Sequence, residues 1–189
     1  MENRFKIMSL KININFKDTY TPIYIEEDLS GMSFNSPQKN GSSCELLAMI
    51  NPYPGSELPG VYNIGFGPPD GKGRFIDYVD LKHTDSNKVF LTVLLFGITF
   101  LQRNPELTHG LDGSTDTRAA LYHLMYKYNK TYLTEFFDAI GVDWYIRVFR
   151  NNTYDADSHG NFIARPRPEP FNYKRDRHDL YRYYMFRLK

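Results

Sequence analysis

Cysteine is nearly missing from this chain of 189 residues, in which Cys44 is the only one. A single thiol closes no intramolecular disulfide and supplies no cysteine-based zinc site, and such usage fits a reducing cytoplasm. Long apolar runs are missing too. The longest, VFLTVLLFGITFL at 89–101, has thirteen residues including two threonines, short of the roughly 20 that span a bilayer, so it reads as a buried helix. The N-terminus, MENRFKIMSLKININF, has no apolar stretch of signal-peptide length. No membrane partner is expected, and the expected location is the cytoplasm.

Signatures of common cofactor chemistry are absent as well. His83, His109, His123, His159 and His178 show neither HxxxH nor HExxH spacing. DADSHGN at 155–161 offers oxygens but does not continue into an EF-hand loop. There is no GxxxxGK[ST] and no GxGxxG. The glycine-rich YNIGFGPPDGKG is explained by a turn at Pro68, Pro69, Gly71 and Gly73, with no helix immediately after it to hold a phosphate. Neither a metal nor a cofactor is expected.

What the chain has is aromatic residues, 16% with 15 Tyr and 14 Phe, and an uneven distribution of charge. Overall charge is only +1, but residues 165–189 carry eight Lys or Arg against three acids, +5, which leaves −4 for residues 1–164. A basic aromatic segment of this kind either packs its rings into the core or presents Arg175, Arg177, Tyr181, Arg182 and Tyr184 to an acidic partner.

Periodicity predicts a single α/β (α+β) domain over 1–164, with residues 165–189 as a Pro-linked tail. A hairpin is expected within 10–27, loop over 28–60 with one short element at CELLAMI, and a polar loop over 151–164. Within the core, 61–150, VYNIGFG and RFIDYVDLKH are expected to pair as a hairpin. Asp85 or Ser86 then caps the apolar helix, which ends before Pro105. ELTHGLDG reads as a strand, DTRAALYHLMYKYN as a helix whose stripe Leu121, Leu124, Met125 and Tyr128 faces the core, and TYLTEFFDAIGV as a second helical segment with Gly141 just past its end. DWYIRVFR reads as a strand. The order is thus β-β-α-β-α-β, a mixed sheet with helices packed on it.

The most suggestive stretch is DGSTDTRAALY at 112–122. Ser114 or Thr115 can cap the helix and Gly113 can turn the chain, which needs no ligand. The same arrangement of strand, Gly-Ser-Thr turn and helix start attracts phosphate or carboxylate, and Arg118 in the first turn could add a bidentate contact. A cation there opposes the helix dipole, so Arg118 needs an anion, internal (Asp112 or Asp116) or external. His109 and Asp112 flank the turn as a conceivable acid-base pair.

YNIGFG, FIDYVDLKHTDSNKVFLTV and GSTDTRAALY together resemble, in order and spacing, an uncharacterised bacterial family known mainly from Bacteroidetes, with motifs YNxxFG, KVxxTV and GSTxxRxxLY. The resemblance covers roughly residues 61–150. It implies a small cytoplasmic α/β domain without an established activity, and it carries over Gly113, Ser114, Thr115, Arg118, Leu121 and Tyr122. Many members have a basic residue where this chain has Ala120. Three functions remain open. The first is a non-catalytic module binding a nucleotide or nucleic acid through Gly113, Ser114, Thr115 and Arg118. The second is a protein-interaction component of a toxin/immunity or phage-defence system, and the third is an enzyme using His109 and Asp112.

Overall fold

The computed structural model describes residues 12, 14–76, 79 and 81–189. Its strands are β1 (Pro22–Ile25), β2 (Gly31–Pro37), β3 (Ser43–Pro52), β4 (Val61–Gly67), β5 (Thr108–Asp112), β6 (Phe137–Ile146), β7 (Ala164–Pro170) and β8 (Tyr183–Leu188). The helices are α1 (Ser86–Arg103), α2 (Asp116–Tyr128) and α3 (Lys130–Phe136). All eight strands form one sheet in the order β1-β2-β3-β4-β5-β8-β6-β7. Every neighbouring pair is antiparallel except β4 and β5. The fold class is therefore a single mixed α/β arrangement, as the periodicity predicts.

The alternation of side chains assigns the two faces. Leu46, Ala48 and Ile50 on β3 and Tyr184 and Phe186 on β8 point into the larger core beneath the helices. Val61, Val142, Tyr183 and Met185 fill a smaller core on the opposite face, joined by Trp144. α1 is buried along most of its length and is capped by Asp85, whose side chain accepts from the Lys88 N–H. Among the described residues no helix is long and apolar enough to cross a membrane.

Several sequence expectations give way. Residues 28–60 are loop only in part: the element expected at CELLAMI lies within β3, but their Gly, Ser, Asn and Pro content hides β2, which pairs with β3 from Gly31–Met49 to Pro37–Ser43, while 53–60 carries no strand. Of the hairpin expected at 10–27, Leu10, Lys11 and Asn13 lie outside the described residues, the rest of the first arm carries no strand, and β1 pairs with β2 instead. The strand expected over 74–83 does not form as a partner of β4. Asp77, Tyr78 and Asp80 lie outside the described residues, and the rest make only the isolated bridges Pro69–Phe75 and Gln38–His83. From 61 the order is accordingly β4-α1-β5-α2-α3-β6.

The helix expected to end just before Gly141 stops at Phe136, because the continuous β-forming run from Phe137 to Ile146 takes over. Gly141 lies within β6, where a Cβ would come 2.3 Å from the Tyr181 ring. On α2 the buried residues are Ala119, His123, Met125 and Tyr126, while Tyr128 is exposed. The Tyr126 hydroxyl donates to the Met185 carbonyl at 3.1 Å, so this ring enters the core with its polar end satisfied. Residues 165–189 supply β7 and β8, and β8 lies between β5 and β6.

Candidate functional site

β4 and β5 run together only briefly: Val61 is opposite Thr108, Tyr62 opposite His109 and Asn63 opposite Gly110. Beyond that point β4 follows β3 as far as Gly67, whereas β5 follows β8 as far as Asp112. Two parallel strands that part in this way leave a crevice at their carboxyl ends, the place where open α/β sheets hold ligands. A cavity of about 670 Å³ occupies this position, lined on its β4 and β5 side by Asn63, Ile64, Leu111 and Asp112. Phe90 and Leu94 of α1, Phe75 and Val79 of the segment after β4, and Arg118 and Tyr122 of α2 complete much of the wall.

Local chemistry explains why the wall closes there. Gly65 and Gly67 leave β4 bare enough for the following turn to fold back on it: a Cβ on Gly65 would meet the Phe75 ring at 2.7 Å, and one on Gly67 the Ile76 carbonyl oxygen at 2.2 Å. Asp70 fastens that turn by accepting from the Lys72 and Arg74 N–H groups at 2.7 and 2.9 Å. The glycines of YNIGFG thus serve packing. On the other face, the Tyr183 hydroxyl lies over Gly110 and donates to Asn63 Oδ1, closing the crevice from behind.

The helix start abuts the cavity. Thr115, with extended φ and ψ of −101° and 148°, is the N-cap and accepts from the Arg118 N–H at 3.2 Å. Asp112 takes the Ser114 N–H at 2.9 Å on one oxygen and the Ser114 hydroxyl at 3.0 Å on the other. The Arg118 guanidinium is 3.9 Å from the same Asp112 carboxylate. Asp112 is therefore an internal anion facing this cation. Gly113 is required by β8, since a Cβ there would sit 2.9 Å from the Tyr184 ring.

The structure brings Gly113, Ser114, Thr115, Arg118 and Asp112 together, but it does not bring His109 to Asp112. His109 is fully buried, with Nδ1 3.1 Å from the Tyr62 carbonyl and Nε2 2.8 Å from the Gly97 carbonyl. It shares the core-facing side of β5 with Leu111, while Gly110 and Asp112 alternate to the other side. Burial holds its pKa below the ordinary histidine value against the two carbonyls, which act the other way. Both ring nitrogens thus face main-chain carbonyls inside the core.

The basic aromatic residues at 175–184 are also mostly committed. Tyr181 and Tyr184 are fully buried, and the Tyr184 hydroxyl donates to the Ala119 carbonyl at 2.9 Å. Arg175 is paired with Asp143 and Glu169, and Arg182 lies 3.5 Å from Asp116. Only Arg177 and Arg182 of the set remain on the surface.

Sequence reasoning missed His83 and Asn63. His83 lines the cavity, and its Nδ1 lies 2.8 Å from Ser36 Oγ and 3.0 Å from Gln38 Nε2. Burial lowers its pKa below the ordinary histidine value. Both partners come from the β2 end of the sheet, in a stretch that reads as loop.

A family described as "Family of unknown function (DUF6934)" matches residues 17–159. The chain belongs to this family. The DUF6934 match takes in Asn63, His83, Asp112, Ser114, Thr115 and Arg118, and ends before β7 and β8. No curated protein and no solved structure matches the chain.

Proposed function

We propose that the domain is a non-catalytic binding module for a small organic anion of the nucleotide class. The charged group is read as seated at the Gly113–Ser114–Thr115 helix start beside Arg118, with the ring in the adjoining cavity. One observation carries this reading: Arg118 stands in the wall of a cavity of about 670 Å³ that also holds the rings of Phe75, Phe90 and Tyr122. That volume lies within the range that small organic ligands occupy, a few hundred to about a thousand Å³. A guanidinium carries five N–H donors, so its contact with Asp112 is compatible with a bidentate contact to a ligand oxyanion. The helix start adds N–H groups and the positive end of the dipole.

A nucleotide suits this geometry better than a nucleic acid does. A polyanion is held by a continuous basic track, and five of the eight cations of 165–189 that suggested one are engaged by acids of the chain itself: Arg165 by Asp155, Arg167 and Arg175 by Asp143, Arg182 by Asp116 and Arg187 by Asp138.

Isothermal titration calorimetry of the full chain against nucleoside mono- and triphosphates tests the proposal. Binding that weakens about 10- to 100-fold in Arg118→Ala, at an unchanged melting temperature, is the expected result, since a charge-assisted hydrogen bond contributes about 1.5–3 kcal/mol. If no nucleotide binds, or if Arg118→Ala leaves the affinity unchanged, the reading is wrong.

A further inference from the structure

The cavity wall contains a histidine whose tautomer the fold dictates. The main chain around His83 is fastened to the end of β2, with the Thr84 N–H donating to the Pro37 carbonyl and the Lys39 N–H to the Lys82 carbonyl, both at 2.8 Å. The ring is fastened at the same place. The Gln38 side-chain nitrogen gives one hydrogen to the Ser36 carbonyl at 2.9 Å and lies 3.0 Å from His83 Nδ1. An amide nitrogen only donates, so Nδ1 is an acceptor, and a neutral imidazole that accepts at Nδ1 carries its proton on Nε2. Ser36, whose hydroxyl lies 2.8 Å from the same nitrogen, and Gln38 are both buried, so water does not compete for Nδ1. Nε2 makes no hydrogen bond among the described residues, yet the ring lines the cavity beside Leu81, Phe90 and Val93. With Nδ1 anchored in the wall, Nε2–H is the edge left for a ligand.

We propose that His83 is a specificity-determining residue of this cavity, donating Nε2–H to a lone pair on the ring of the bound ligand. The cavity then selects a planar heterocycle with an acceptor atom, a nucleobase, over an all-carbon ring or an aliphatic chain. A donor set among apolar side chains is costly to leave unmet, so a ligand lacking the acceptor is rejected more strongly than one merely of the wrong size. The inference rests on the reading that the cavity holds an organic anion whose charge sits at Arg118. It adds the chemistry of the uncharged end.

The test is calorimetry on the full chain with the four common nucleoside 5′-monophosphates, with ribose 5-phosphate, which has no base, and with phenyl phosphate, whose ring has no acceptor. The favoured monophosphate should lose about 3- to 10-fold in affinity in His83→Phe, the range of one neutral hydrogen bond. His83→Gln, which keeps an N–H near the place of Nε2, should recover most of that loss. Ribose 5-phosphate should be unaffected by either change, and phenyl phosphate should not weaken in His83→Phe. Nucleotide binding that Arg118→Ala abolishes but His83→Phe leaves intact overturns this inference and spares the broader reading. Failure of every probe to bind the unaltered protein overturns both. Should His83→Phe not fold, nitrogen NMR of the unaltered protein decides: a protonated Nε2 whose signal moves when nucleotide is added supports the role. A proton on Nδ1, or an unmoved signal, overturns it.

Discussion

The Arg175 guanidinium meets Asp143 through both terminal nitrogens, at 2.9 and 2.6 Å, and reaches Glu169 through the second at 2.9 Å. Its plane lies 3.7 Å above the Tyr181 ring, and its side chain is only 9% exposed. The Tyr181 hydroxyl donates to Glu169 at 2.6 Å, which depresses the Glu169 pKa, with Arg175 adding to the effect, while burial and the same bond push the Tyr181 hydroxyl up to about 12. Removing the cation leaves two carboxylates together. Deleting one partner of a buried ion pair costs about 3–5 kcal/mol, and partial exposure of both acids reduces this to about 2–3 kcal/mol for Arg175→Ala. The sign of the pH dependence follows from Glu169. A carboxyl depressed below its ordinary value of 4.5 contributes stability above that pH and loses it as the pH falls through the folded value. Urea unfolding between neutral and acid pH should therefore show lower stability for Arg175→Ala at neutral pH and a shallower decline on acidification. Equal acid limbs in the two proteins would contradict the assignment.

At the scale of elements, α1 and β5 are legible in the sequence because each is a local pattern: an apolar run behind an Asp cap, and a short apolar strand before a Gly-Ser-Thr turn. The helix start of the candidate site is legible for the same reason, with Thr115 as its cap. Gly141 reads as a helix end because glycine favours that position, but its role is set by the Tyr181 ring, a partner 40 residues away in sequence. The stripe on α2 is legible at Leu121 and Met125, which reach the core, but it takes in the exposed Tyr128 and leaves out Tyr126, because tyrosine counts as half polar until its hydroxyl finds a carbonyl, as that of Tyr126 does on β8. β8 itself reads as a basic tail. Its alternate residues Tyr184 and Phe186 face one core and Tyr183 and Met185 the other, so it is buried on both sides and paired along both edges. Deleting 165–189 should therefore leave β5 and β6 with unpaired edges and the helices without their floor. Circular dichroism and size-exclusion chromatography should find that truncated chain unfolded or aggregated. A monomer with native helical and strand signals would show that β8 is dispensable.

At the scale of the whole molecule, the cavity and the stability of the sheet have a common origin in strand order. β4 leaves β5 to stay with β3, and β5 leaves β4 to stay with β8, so the sheet is divided at the point where the candidate site lies. No local signal encodes such a parting, which is why the cavity, and His83 held by residues 45 and 47 positions earlier, are invisible in the sequence. The same order distributes stability. β5, β8 and β6 lie under the helices with rings from Tyr126, Phe171 and Tyr184 packed in sequence, whereas the backbone of segment 147–163 beyond β6 is hydrogen-bonded only within itself, around the bridges Val148–Tyr154 and Ala156–Phe162, and the segment exposes Phe149, Tyr154 and Phe162. Amides with few buried neighbours open locally, while those of a central strand exchange only when the domain unfolds. Hydrogen exchange should accordingly protect β5, β8 and β6 to the level of global unfolding and leave 147–163 fast. Added nucleotide should slow the amides of β4 after Asn63 and of the first turn of α2, with no change at 147–163. Protection gained at 147–163 instead would move the binding surface to that segment and away from the crevice.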